Sequence, residues 1–225
     1  FELPSGKDGF LATNSLLAFC VLLGRAYAEV AGKPSNLPKD LRSLLSEKRM
    51  AAKPMLADGY YRELLNVPTL IVLHGPSTAS AAIDIESKFT ESALGHVQLS
   101  DYRQFAHGRH HWLAKCPDTT AVLSLESLDD EGIASQTLSL LPESLPSRRV
   151  RVSQRGWVAD LGAICEGFYL AGAAGRARGI DPGRPGVPPF GRKLYHANAF
   201  RDKRASDELP RWKVRAIERK ASHRL

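Results

Sequence analysis

A chain of 225 residues, 43% hydrophobic, 24% charged and 8% aromatic, has the composition of an ordinary globular protein, with room for one large domain or one domain and flanking pieces. Folding at this size buries roughly 70% of the surface the unfolded chain exposes, so no disulfide framework is needed. Cys20, Cys116 and Cys165 are odd in number and widely spaced, which speaks against a secreted disulfide scaffold and for a reducing, cytoplasmic setting. The net charge of +7 suits a polyanion, yet residues 192–225 alone carry eleven Lys/Arg against four Asp/Glu. No aromatic platform or zinc-finger spacing accompanies that basic stretch, so nucleic acid is not the expected partner.

The chain opens on Phe1 rather than Met, and a natural start further upstream is expected. Residues 10–31 read as a long, largely buried helix stopped by Gly32. Its apolar run at 16–23 is too short to span a membrane and lacks a signal peptide's basic start and cleavage site, so no membrane partner is expected. Residues 33–58 are polar, carry Pro34, Pro38 and Pro54, and are expected to hold a short helix near 38–51.

Residues 70–75, LIVLHG, read as a short strand buried on both faces, the kind found in parallel sheets. Gly75-Pro76-Ser77-Thr78 makes a turn and can cap a helix over about 78–95. Thereafter 121–126 reads as a strand, 131–141 as a helix, 149–153 as a strand and 161–178 as an Ala- and Gly-rich packed helix. Strand and helix alternating at this spacing predict a parallel sheet wrapped by helices. Residues 208–220 are a further candidate helix, and no internal repeat is present.

Chemistry concentrates between 73 and 112. Asp84, Lys88 and Glu91 are spaced four and three apart and share one face of the predicted helix. Such spacing serves either a salt-bridged surface or a functional face. Downstream, His107, His110 and His111 fall within five residues, with Cys116 nearby. Their spacing matches no common zinc pattern, so a structural or proton-transfer role is expected rather than a metal site. The turn at His74–Thr78 offers a helix N-terminus that can hold an anion, or simply a capping hydroxyl.

These motifs together resemble the sugar isomerase (SIS) domain family, and within it the second SIS half of glucosamine-6-phosphate synthase and its deaminase relatives. Asp84-x3-Lys88-x2-Glu91 fits the family's acid-x3-Lys-x2-Glu helix without a gap. Gln104-Phe105-Ala106-His107-Gly108 falls on its Glu-Leu-Lys-His-Gly motif at the same distance from Glu91. Gly179-Ile180-Asp181-Pro182-Gly183-Arg184-Pro185 is similar to its Gly-x-Asp-x-Asp-x-Pro-Arg exit, and Ala12-Thr13 to the Ser-Thr turn that begins the last helix of the first half. The likeness covers about 10–31 and 70–190. It departs at Ala12, where the family has serine, and at Gln104, which removes a charge beside His107.

The resemblance implies a doubly wound, flavodoxin-like α/β fold with a parallel sheet. It divides the chain into the last helix of a preceding SIS half (1–32), a linker with a short helix (33–66), an SIS domain (67–190) and a basic extension (191–225), with fused domains expected at one or both ends. It implies a sugar phosphate as ligand, a homodimer, and neither metal nor organic cofactor. Glu91 would shuttle a proton between C1 and C2 of a hexose 6-phosphate. Lys88 would stabilise the open-chain carbonyl or enediolate, Asp84 would orient Lys88, and His107, reaching in from the partner subunit, would open the sugar ring. Ser77, Thr78 and Thr13 are the expected substrate-binding hydroxyls. The alternative is a non-catalytic phosphosugar-sensing or dimerisation module. The family's Ser-rich phosphate cradle belongs to the first half, so the chain as given is not expected to turn over substrate by itself.

Overall fold

Asn14–Val30 form helix α1 in the computed structural model, which describes residues 8–38, 40, 42–45 and 56–197. Asp8 caps this helix, accepting from the amides of Thr13, Asn14 and Ser15 and from the hydroxyls of Thr13 and Ser15. After a single 3₁₀ turn at Arg42–Leu44 come α2 (Leu56–Leu65), β1 (Thr69–His74), α3 (Ala79–Glu91) and β2 (His96–Asp101). The β2–β3 connection holds the short α4 (Tyr102–Gln104), a π-helical turn at Phe105–Arg109 and α5 (His111–Lys115). Then follow β3 (Thr120–Glu126), α6 (Glu131–Ser139), β4 (Ser147–Arg151), α7 (Gly156–Arg178) and α8 (Pro189–Tyr195). The chain divides into two compact units, Phe1–Pro185 and Gly186–Leu225, and α8 is the element described in the second.

The four strands are all parallel, in the order β2-β1-β3-β4. This is the order of the first four strands of a flavodoxin-like sheet. Period-2 alternation sends β1 to both sides of the sheet. Leu70 and Val72 join Ala121, Leu123 and Leu125 of β3 under α2, α3 and α7, while Ile71 and Leu73 join Val122 under the β2–β3 connection and α6. The sheet is therefore doubly wound. Every residue of β3 is buried, which fits a central strand.

Expected and observed elements differ in instructive places. β2 was not anticipated: it is an edge strand in which only Val97 and Ser100 are buried, so its apolar signal is thin. α2 and α8 were also not anticipated, and of the short helix expected near 38–51 the described residues show one 3₁₀ turn. α7 starts at Gly156 rather than 161 because Asp129, from the β3–α6 loop, accepts from the Gly156 amide and caps the helix there. It ends in a Schellman motif: Gly179 adopts φ 65°, Ile180 donates to the Gly175 carbonyl and Gly179 to that of Arg176. The loop that follows ties the unit together, its Pro182 carbonyl accepting from Ser92 Oγ and its Gly183 carbonyl from the Phe10 amide. The candidate helix at 208–220 lies outside the described residues. Among the described residues no helix is long and apolar enough to cross a membrane.

Candidate functional site

Helix α3 leaves the carboxyl end of β1 and runs back along the sheet. Asp160 of α7 accepts from the amides of Ser80 and Ala81, satisfying two donors of its first turn. Ala81, Ile85 and Phe89 face the core, and Lys88 shares that face. Its stem is buried, and its ammonium reaches back one turn to Asp84 Oδ1 at 2.5 Å and lies 4.9 Å from the Phe168 ring centre on α7. α7 can come this close because residue 167 is glycine: a Cβ there would stand 2.9 Å from Ile85 Cγ1.

Asp84 Oδ2 is buried with no hydrogen-bond partner. Burial pushes the Asp84 carboxyl above the ordinary carboxylate range; the Lys88 hydrogen bond and charge oppose the push, and the charges of Glu91 and Asp160 add to it. Glu91 is exposed at the helix end and accepts from Ser87 Oγ at 2.6 Å. The sequence spacing therefore gives a sealed acid–lysine pair with an exposed carboxylate beside it, rather than three groups in one cluster. Between α1 and the start of α7 lies a hollow of about 630 Å³, lined by Cys20, Gly24, Tyr27, Ser80, Trp157 and Asp160 among others. Burial, then the charges of Asp160 and Asp84, push the Cys20 thiol up.

His107 is elsewhere. It is exposed on the π-helical turn, whose Phe105 packs on the face of the sheet opposite α3. Within one chain the two motifs do not meet. His110 donates from Nδ1 to the Phe105 carbonyl, and Arg109 donates to the Leu99 carbonyl on the free edge of β2. Among the described residues no group of three or more His, Cys, Asp or Glu is placed to hold a metal ion.

The expected hydroxyls are engaged in local structure. Thr78 is fully buried, accepts from the Gly75 amide and reaches the Leu125 carbonyl. Ser77 donates to Asp129, and Thr13 to Asp8.

Sequence reasoning did not find the crevice at the carboxyl ends of β1 and β3, where the winding direction changes and ligands of such sheets bind. It holds about 480 Å³ and is lined by His74, Asp101, Tyr102, Arg103, Gln104 and Asp130 among others. An adjoining hollow of about 640 Å³ shares Tyr102, Arg103 and Gln104 and continues to His107, Gln136 and Thr137. The signal that finds these residues is the strand order, which no single stretch of sequence carries.

No family model matches the sequence, and no curated protein matches it. Among solved structures the chain is similar to the crystal structure of glucosamine-6-phosphate deaminase from Thermotoga maritima. The TM-score is 0.53 and the identity 15%, covering 80% of this chain and 56% of that one. The chain thus spans little more than half the length of the protein it matches, and what the two share is the fold. That fold, a four-stranded parallel sheet in the order β2-β1-β3-β4 flanked by helices, is the doubly wound, flavodoxin-like α/β architecture expected from the sequence.

Proposed function

We propose that this chain is a phosphosugar-binding SIS domain belonging to an isomerase or aminosugar-phosphate deaminase, working as a homodimer. The observation that carries the reading is the α3 face, where a buried Lys88 is paired with Asp84 and an accessible carboxylate, Glu91, stands one turn on. Interconverting aldose and ketose phosphates needs a carboxylate to take a proton from one carbon and return it to its neighbour, and Glu91 supplies it. A fixed cation stabilises the negative charge that develops on the carbonyl oxygen; Lys88 is that cation, and Asp84 keeps it aimed and charged. His107 serves ring opening from the partner subunit, which is consistent with its distance from α3 within one chain.

A second reading rests on one observation. Lys88 is 4% exposed and already paired, so a module that binds a sugar phosphate without transforming it also fits this face.

The experiment joins the chain to the preceding SIS half that carries the phosphate cradle, and follows it by NMR in deuterated water with glucosamine 6-phosphate and fructose 6-phosphate. Deuterium entering C1 or C2 with the wild type, and not with Glu91→Gln, supports proton shuttling. Saturable binding without exchange supports the sensing module. Neither binding nor exchange overturns both readings.

A further inference from the structure

We infer that the crevice at the carboxyl ends of β1 and β3 binds an aminosugar phosphate, its ammonium held inward against Asp130 and its phosphate outward at Arg103. Asp130 is 4% exposed, and Ser127 Oγ donates to its Oδ2 at 2.6 Å. Its Oδ1 has no hydrogen-bond partner among the described residues, yet that atom is not sealed off. It borders the crevice over the bare backbone of Gly75, where a Cβ would fall 1.8 Å from it. Neither Asp130 nor the neighbouring Asp101 is in an ion pair among the described residues. A buried carboxylate without a countercharge is costly, and a bound cation offsets that cost.

The other polar groups of the inner wall are acceptors too. Asp101 takes the Gln104 amide on Oδ1, which leaves Oδ2. His74 donates from Nδ1 to the Gly75 carbonyl, so Nε2 is the acceptor of the neutral ring. Three acceptors around a cavity of about 480 Å³ require a ligand that brings N–H and O–H donors. An ammonium among hydroxyls supplies both the donors and the missing positive charge. The Tyr102 hydroxyl is committed to Ser124 Oγ and the Leu125 carbonyl, so its ring forms an apolar wall with Ile133.

The anionic end has no place at the α3 turn. Asp160 already takes the amides of Ser80 and Ala81, and Asp129 the Ser77 hydroxyl. Two protein carboxylates thus fill the position a phosphate would use. Arg103, on the outer rim, is exposed and makes no hydrogen bond or ion pair among the described residues. It lines both the crevice and the adjoining hollow of about 640 Å³, which gives a phosphate room beside an unpaired guanidinium. Within one chain Glu91 stands about 18 Å away along α3, too far to share this ligand. That the ligand is an aminosugar phosphate rests on the proposed function; the need for an ammonium and an anion does not.

Calorimetry of the full chain with glucosamine 6-phosphate, fructose 6-phosphate and glucosamine is the test. The crevice is complete within this chain, so no preceding half is required. Glucosamine 6-phosphate is expected to bind, and the compounds lacking the ammonium or the phosphate to bind about tenfold more weakly or worse. Asp130→Asn should bring the affinity for glucosamine 6-phosphate down to that for fructose 6-phosphate, and Arg103→Ala down to that for glucosamine. Asp101→Asn keeps the α4 cap and should weaken binding in the same sense, should the buried variant not fold. NMR amide shifts on binding should centre on Gly75 and residues 101–104. No binding to the wild type, equal affinity for the three compounds, or shifts centred on residues 87–92 would each overturn the inference. The isomerase reading stands or falls separately, on deuterium exchange by the joined chain.

Discussion

Lys88 and Asp84 form an ion pair one helical turn apart, and α7 closes over it with the Phe168 ring and the bare backbone of Gly167. The lysine is 5% exposed at its side chain and the aspartate 12%, so each neutralises a charge the other would leave stranded. Removing one partner of such a pair costs about 3–5 kcal/mol, whereas replacing both with apolar groups is often nearly neutral.

Lys88→Met is therefore expected to lower stability by about 3 kcal/mol at neutral pH, and Lys88→Met with Asp84→Leu to recover most of the loss. The pH dependence of the single variant follows from the raised Asp84 carboxyl. Once Lys88 no longer opposes burial, that carboxyl rises further. A carboxyl raised by folding favours the folded state below its unfolded pKa and costs stability as pH climbs through its folded value. Urea unfolding at pH 4 and pH 7 should show the Lys88→Met deficit smaller at pH 4. An equal deficit at both would mean that Asp84 is not the group responsible.

Ala93, just past the end of α3, adopts φ 53° while Leu94 donates back to the Phe89 carbonyl. An L residue there carries left-handed strain of about 1–2 kcal/mol, part of which a glycine returns as lost chain entropy. Ala93→Gly should stabilise the protein by about 0.5–1 kcal/mol, read from the urea midpoint at unchanged m-value.

Gly75 closes the floor of the crevice. A Cβ there would fall 1.8 Å from Asp130 Oδ1, and Asp130 is buried and held by Ser127 Oγ at 2.6 Å. Gly75→Ala should cost about 1–3 kcal/mol from overpacking. Adding Asp130→Ala removes the clash, so the two effects should be clearly non-additive in a double-mutant cycle.

The cysteines should differ in alkylation at pH 8. Burial, with the Glu166 charge behind it, pushes the Cys165 thiol up to about 11, which leaves on the order of one thiolate in a thousand. Cys116 is half-buried near the surface, and Cys20 is raised by burial and two carboxylates. Mass spectrometry after timed iodoacetamide treatment should find Cys116 labelled first, Cys20 later, and Cys165 only on unfolding. Early labelling of Cys165 would contradict the packing of α7.

How much of this was legible in the sequence depended on whether local pattern or distant partners held the information. β1 holds an unbroken apolar run at 70–73 and β3 is apolar from Ala121 to Leu125 but for Ser124, and a strand buried on both faces can be read from such runs. The four-and-three spacing of Asp84, Lys88 and Glu91 likewise put them on one helical face. β2 could not be read so easily, because an edge strand buries residues on the strength of its pairing with β1 rather than its own pattern. The start of α7 was misplaced by five residues because the residue that caps it, Asp129, stands 27 positions away.

The same division runs through the site. The sequence by itself determined which residue types share a helix face, since side-chain direction along a helix follows from 3.6 residues per turn. Only the tertiary structure decided that Lys88 is sealed beneath Phe168 while Glu91 stays open, that His107 sits across the sheet from both, and that a crevice forms where β1 and β3 part. Those outcomes depend on strand order and on which helix covers which face, and both are set by contacts between segments far apart in the chain.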